Sequence, residues 1–454
     1  MRHILGNLID IREEIDNAPI GAYHRLLLFL VGLAVFFDGY DTFNASYVIH
    51  YVMKPWGMLP GQAGFMVSSG LIGFSTAALL QGKFSDRYGR RPVMLFGLWV
   101  MTVFSFCTAV FAHSFVTFCL FRFLTGLGLG ILLPLGVTYV NEFAPKRVKS
   151  TFSTWGWGLG FSLGGATAAV VGVYLTPSLG WQSLYYVASL SVFLAIVCQA
   201  ILPESIQFLA MRGSNHKAVA GLLSRLNPPR ANVYNEPGAR FIFPEESSRA
   251  ASVSLLLSPR YRRTTLACWG AAFFVLFGIY GLTGWVPTAM LARGETFAAS
   301  FGYGALILMM NFVGTLAYSY FADRRGQGRG ALVVWWIAGA IAAGILAVVN
   351  IHALNVLCVG AAGFCILGGQ GGLNNMTAIW YDTEVRGTAV GMMLGFGRVG
   401  GTLGPYVTGL LQQAVPGTAI LFVAISVAAL LGACLILLVK PQQAVRVAEK
   451  VHAV

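Results

Sequence analysis

The chain has 454 residues, 56% of them hydrophobic and only 10% charged, with a formal net charge of +13 and a mean hydropathy of +0.70. Soluble domains average about 25% charged residues, so the composition excludes an ordinary water-soluble enzyme and points to an all-α membrane protein. The basic excess raises nucleic acid as a partner, but its placement along the chain excludes that too.

Residues 1–23 carry acids and bases and have no apolar core, so they read as a cytosolic N-terminal segment and not as a cleaved signal. At roughly 20 apolar residues per span, twelve spans are expected near 24–50, 62–82, 92–112, 115–140, 151–175, 183–202, 264–290, 300–321, 331–350, 354–380, 388–412 and 418–439. The long polar stretch 203–262 divides six spans from six. It reads as a cytosolic linker with short surface helices between an N-terminal bundle (24–202) and a C-terminal bundle (263–440), with a cytosolic tail at 441–454. All but four of the 30 Lys and Arg residues fall on one side of this arrangement. Lys54 and Arg293 lie on the other side, and Arg122 and Arg398 lie inside spans. That is the positive-inside pattern, with both termini cytoplasmic. The seven cysteines form no C-x-x-C pair and lie mostly within spans, so neither a metal site nor a disulfide is expected.

Span 1 contains "FFDGYDTFNA" (36–45), with Asp38 and Asp41 three residues apart on one helix face. An intramembrane charge costs roughly 2.5 kcal/mol or more and is paired or functional by default. Span 4 contains "RFLTGLGLG" (122–130). Asp41 lies about 14 Å and Arg122 about 10 Å below the outer surface, so a pair or triad of Asp38, Asp41 and Arg122 is feasible, with Gly39 letting span 4 approach. Arg398, in "GFGRVGG" of span 11, lies about 16 Å from the cytosolic side with no acid at its depth in the C-terminal half. A lone buried guanidinium asks for an anion and matches carboxylates bidentately. The simplest substrate is therefore an organic acid, with Arg122 and Arg398 as its cations. A substrate carboxylate that draws on the local positive charge makes an aspartate take a proton more readily, which is proton–anion symport. Asp41, whose depth better matches that of Arg122, is the preferred carrier. Tyr40 and Asn44 in span 1, Trp155 and Trp157 in span 5, Tyr280 and Trp285 in span 7, Asn311 in span 8, and Gln370, Asn374 and Asn375 in "GGQGGLNN" of span 10 supply aromatic faces and amides for a planar ring with polar substituents. For any one aromatic, packing competes with ligand contact.

The loops at the cytosolic side repeat. "GKFSDRYGRR" (82–91) follows span 2 and "SYFADRRGQGR" (319–329) follows span 8; "NEFAPKRVKSTF" (141–152) is echoed by "YDTEVRGTAVGM" (381–392). Asp86 and Asp323 are 237 residues apart, Arg147 and Arg386 239, so a six-helix unit is duplicated. A duplicated bundle with a route between its halves is a transporter architecture. Gly82 is expected to let helices approach. Asp86, Arg87, Gly89, Arg90, Glu142 and Arg147 in the first copy, with Asp323, Arg324, Asp382, Glu384 and Arg386 in the second, are expected to latch helix ends together and to open when the cavity faces inward.

These motifs resemble a known family. Gly82, Asp86, Arg87, Gly89, Arg90 and Arg91 match the loop 2–3 signature of the major facilitator superfamily, and Arg122, Gly126 and Gly128 its span-4 signature. Ser319 and Gln327 depart from the signature in the second copy. "DGYD", the span-4 Arg, "GFGRVGG" and "LPES" (202–205) together resemble the aromatic acid:proton symporter family. The resemblance implies the facilitator fold of two pseudo-symmetric six-helix bundles. It also implies import of benzoates or hydroxybenzoates for catabolism across the bacterial inner membrane, with Asp38 and Asp41 in proton coupling and Arg122 and Arg398 in activity. No cofactor is implied, since a proton gradient drives the cycle; the expected partners are a small aromatic carboxylate, protons and lipid, with the monomer as working unit. The alternatives are a facilitator-type carrier of another organic acid (nicotinate-like or aliphatic), a drug–proton antiporter, and, ranked lower, a receptor using the 203–262 loop. An enzyme is not expected, because no loop holds a nucleophile–base or metal-ligand cluster.

Overall fold

Backbone in lipid must satisfy its own polar groups, so long apolar segments become helices and break where Gly, Pro and polar residues gather. The computed structural model describes residues 8–153, 158–211, 216–236, 239–242, 253–325 and 328–439. Twelve spanning helices run in chain order: α1 (Ala22–Val52), α2 (Pro60–Tyr88), α3 (Arg90–Phe111), α4 (Phe115–Phe143), α5 (Gly160–Tyr174), α6 (Gln182–Ile201), α7 (Arg262–Ala292), α8 (Phe297–Arg325), α9 (Gly328–Val348), α10 (His352–Trp380), α11 (Thr383–Ala414) and α12 (Ala419–Leu437). Ten of them are long and apolar enough to cross a membrane by length and composition; α5 is shorter, and α11 is glycine-rich and carries Arg398. Span 5 was expected from residue 151: Lys149–Ser153 is helical and α5 begins at Gly160. Trp155 and Trp157 lie outside the described residues. A turn at Leu190 divides α6, and a π-helical turn at Gly363–Leu367 divides α10 just before its glycine-rich stretch.

Glycines set the closest helix pairs, and they do so at equivalent places in the two halves. A Cβ on Gly39 would lie 2.1 Å from the Phe161 carbonyl oxygen of α5, and one on Gly400 would lie 2.0 Å from that of Phe273 on α7. The pairs α1/α5 and α7/α11 thus correspond. So do α2/α4, where Gly73 meets Phe123, and α8/α10, where Gly314 meets Phe364. Such backbone approach suits packing in lipid, where small residues rather than apolar bulk drive association. Gly39 therefore serves α5 and not α4, as had been expected.

The halves meet at the face away from the basic loops. There a Cβ on Gly64 of α2 would lie 2.2 Å from the Pro405 carbonyl of α11, one on Gly409 would lie 2.5 Å from that of Pro60, and the Tyr47 and Phe301 rings of α1 and α8 stand 5.0 Å apart. Towards the basic face, the Cβ positions of Gly82 on α2 and of Gly387 and Gly391 on α11 meet nothing within 4 Å.

The segment before α1 and the linker are built into the halves. Strand β1 (Leu8–Asp10) pairs in parallel with β2 (Arg240–Ile242), the one sheet among the described residues. Asp10 then caps the helix Ile11–Asn17 by accepting from the Arg12 and Glu13 amides. Ile11 and Ile15 share a core with Leu222, Leu223 and Leu226 of the linker helix His216–Leu226 and with Tyr139 and Phe143 of α4. Glu14 accepts from Tyr234 (2.6 Å) and pairs with Arg230 (2.8 Å). The later linker residues join the other half instead: Leu256 is buried in its core, and Arg260 and Tyr261 bind Asp382 at 2.9 and 2.5 Å.

Candidate functional site

Two charged centres lie at mid-depth, and they are built differently. In the N-terminal half, α1 and α4 bring Asp41 and Arg122 together. Asp41 Oδ1 accepts from Arg122 Nη1 at 2.5 Å, its backbone oxygen accepts from Nη2 at 3.0 Å, and its Oδ2 accepts from the Ser105 hydroxyl of α3. Tyr185 of α6 covers the guanidinium at 5.7 Å from the ring centroid. Asp41 is 0% and Arg122 2% exposed. The pair is thus closed, and Arg122 is not presented to a substrate as expected. Asp38 does not join a triad. Its Oδ1 accepts from Thr42 at 3.2 Å and its Oδ2 has no hydrogen-bond partner, although the residue is fully buried.

In the C-terminal half, Arg398 of α11 is half-buried and open on part of its guanidinium. Nη1 donates to the Tyr280 hydroxyl of α7 at 2.8 Å, and the guanidinium lies 4.2 Å over the Phe74 ring of α2. The expectation of an Arg without protein partners is corrected by both contacts. The cation whose charge acts on Asp38 is Arg398, from the opposite half, although the two form no ion pair.

Several expected substrate residues have other work. Tyr40 and Asn44 both donate to the Leu184 carbonyl of α6, at 3.1 and 3.4 Å, and both are fully buried within the N-terminal half. Trp285 donates to the Pro405 carbonyl at 2.9 Å, pinning α7 to α11. Buried N–H and O–H groups must find acceptors, and in these three cases helix carbonyls serve. Asn311 donates to Ser162 across the α8/α5 boundary at 3.4 Å. Gln370 donates to Asn374 at 3.1 Å, and its Oε1 is buried with no partner. Asn375 is exposed.

The comparisons with known proteins bear on this geometry. The family model of the Major Facilitator Superfamily matches residues 31–374. The chain belongs to this superfamily. Within it, the chain is 32% identical to the gallate transporter of Pseudomonas putida over 94% of both chains. It is 31% identical to the 4-hydroxybenzoate transporter PcaK of Acinetobacter baylyi, over 89% of this chain and 88% of that one. It is therefore a transporter of the superfamily's aromatic acid group and not an enzyme. The fold is that of the xylose transporter XylE from E. coli in an inward-open conformation, with a TM-score of 0.71 at 15% identity over 92% of this chain and 96% of that one.

At the basic face of this facilitator, the first-copy loop signature forms a cluster centred on Arg90. Arg90 pairs with Asp86 (3.0 Å) and Glu142 (3.2 Å) and donates to the Ser85 carbonyl (3.1 Å). Glu204, from "LPES", accepts from the backbone amides of Arg90 (2.9 Å) and Arg91 (3.1 Å) and so caps α3, while Ser205 donates to Glu142. Gly89 has φ +107°, and a Cβ there would meet Glu204 at 2.2 Å, so glycine is required on both counts. Arg87 stacks on Tyr88, and Arg147 donates to the Ala18 carbonyl (2.7 Å) and not to Glu142. Gly82, expected to permit close approach, faces open space. In the second copy Arg324 lies over Tyr320 (4.5 Å), Asp382 binds Arg260 and Tyr261, and Glu384 and Arg386 are exposed; the side chain of Asp323 lies outside the described residues. Ser105, Tyr185 and Phe74 were not singled out in the sequence: one serine, one tyrosine and one of 32 phenylalanines carry no periodic mark. Glu204 had a signal, since it stands where an apolar span stops.

Proposed function

We propose that this facilitator imports an aromatic carboxylate of the benzoate or hydroxybenzoate type by proton symport with alternating access, across the bacterial inner membrane. The observation that carries the reading is the half-buried Arg398, held by a neutral hydroxyl and a ring and by no carboxylate, together with the fully buried Asp38, one of whose carboxylate oxygens has no hydrogen-bond partner. In the empty carrier Asp38 balances Arg398. A proton on Asp38 leaves Arg398 unbalanced, and a substrate carboxylate then takes its place; loss of either ligand favours loss of the other. Asp38 is thus the proton carrier, in place of Asp41, whose carboxylate is already committed to Arg122 and Ser105. The relatives' names, gallate and 4-hydroxybenzoate transporter, support the ring. Tyr280 orients the cation, and Gln370, Asn374 and Asn311 offer amides to ring substituents.

The basic face is cytoplasmic by the positive-inside rule, and the open space beside Gly82, Gly387 and Gly391 there supports an inward-facing carrier. The Arg90 cluster holds the N-terminal helix ends and rearranges when the halves close there. The working unit is the monomer, and a proton gradient supplies the only drive. In proteoliposomes with an inward proton gradient, labelled 4-hydroxybenzoate should accumulate with the parent, fail to bind or enter with Arg398→Ala, and equilibrate without accumulating with Asp38→Asn. If the gradient drives efflux, or Asp38→Asn still concentrates substrate, this mechanism is wrong.

A further inference from the structure

Arg398 is held from both halves, and the two supports differ in kind. Tyr280, on the same half, takes one edge N–H through its hydroxyl at 2.8 Å. Phe74, on the opposite half, offers the face of its ring 4.2 Å from the guanidinium carbon. The ring sits on a rigid platform. A Cβ on Gly130 of α4 would lie 2.1 Å from the Phe74 carbonyl oxygen and one on Gly126 would lie 2.9 Å from its amide, so α2 and α4 touch backbone to backbone at this residue, and Phe74 is 3% exposed. A planar guanidinium whose carbon lies 4.2 Å over a ring centre packs best face to face with it, so a fixed ring favours one guanidinium plane. With Nη1 engaged by Tyr280, the Nε–Nη2 edge remains for a bidentate carboxylate, and in such a fork the carboxylate shares the guanidinium plane.

The consequence for substrate choice is geometric. In a benzoate the carboxylate is conjugated with the ring and coplanar with it. Bidentate pairing therefore lays the whole acid in the guanidinium plane, parallel to Phe74. When an sp³ carbon separates ring and carboxylate, as in phenylacetate, the ring turns out of that plane into the layer Phe74 occupies or away from it. We infer that Phe74 is a positioning residue that fixes the plane of Arg398 and thereby selects acids whose carboxylate is coplanar with an aromatic ring. This rests on the proposed role of Arg398 in carboxylate binding.

The test compares the parent, Phe74→Leu and Phe74→Trp in proteoliposomes under one proton gradient, with KM and maximal rate measured for benzoate and for phenylacetate. The parent should prefer benzoate. Phe74→Leu should raise KM for benzoate roughly three- to tenfold, the range a cation–π contact supports, with maximal rate and the phenylacetate KM little changed, and Phe74→Trp should restore the preference. A packing role alone would lower maximal rates for both acids together. The inference is overturned if Phe74→Leu leaves the ratio of the two KM values unchanged, or if the parent does not discriminate. Uptake of neither acid by the parent would remove the transport reading as well, whereas benzoate uptake with an unaltered ratio would remove only the assignment of Phe74.

Discussion

The N-terminal half closes its buried cation on a carboxylate of its own, whereas the C-terminal half leaves its cation without one. Arg122 has its carboxylate, a backbone oxygen and an aromatic cover, all from α1, α4 and α6 of its own half. Arg398 has a neutral hydroxyl and a ring, and the ring comes from the other half. Two helical bundles with matching glycine contacts therefore divide the labour. One carries a sealed ion pair that holds helices together, the other a half-buried cation supported by a hydroxyl of its own half and a ring of the opposite half. The basic face shows the same contrast, with a partly buried Arg90 cluster in the first copy and a more exposed Asp382–Arg260 pair in the second.

The largest expected effect is on the sealed pair. Arg122→Ala strands the Asp41 carboxylate in a fully buried site and should cost about 3–5 kcal/mol, read as a large fall in melting temperature in detergent. Arg398→Ala should leave melting nearly unchanged while abolishing stabilisation by aromatic acids. Equal melting losses in the two variants would erase the contrast between the halves. Next comes the cap on α3: Glu204→Ala leaves the Arg90 and Arg91 amides without their acceptor and should cost roughly 1–3 kcal/mol, against less than about 1 kcal/mol for Asp382→Ala, whose Arg260 partner is 53% exposed. A reversed order of these two would show that the second latch matters more than its exposure suggests.

A small, pH-dependent effect is expected at the face where the halves meet, in the loop after α7. Burial pushes the Glu295 carboxyl up, but hydrogen bonds from Asn355, His352 and Tyr303 outweigh it and hold the carboxyl below its usual range. A carboxyl depressed in the folded state stabilises above its unfolded value, near 4.3, and loses that contribution as the pH falls through the folded value. Glu295→Gln should therefore cost about 1 kcal/mol at neutral pH, and its melting difference from the parent should shrink as the pH falls below about 4.3 and vanish once the folded carboxyl is protonated. A difference that persists in acid would assign the effect to packing and not to charge.

Much of this protein is legible in its sequence. Lipid offers no hydrogen bonds to the backbone, so runs of apolar residues near 20 long translate directly into the helices, and the two near-equal offsets between loop signatures translate into two halves. Charges placed at cost within those runs mark Asp38, Asp41, Arg122 and Arg398 without any coordinates. The partners of those charges needed the tertiary structure. Asp38 and Asp41 share a helix face in sequence terms, yet only the packing of α3, α4 and α6 around Asp41 decides that it is the saturated one and Asp38 the orphan. Tyr40, Asn44 and Trp285 carried ligand chemistry in the sequence and found helix carbonyls in the fold. Phe74 was hidden among 32 identical residues until α2 and α11 met. Span length and burial cost are local properties of a segment, whereas a hydrogen bond or a stacked ring depends on which helix arrives opposite, and that is set by close backbone contacts far apart in the chain.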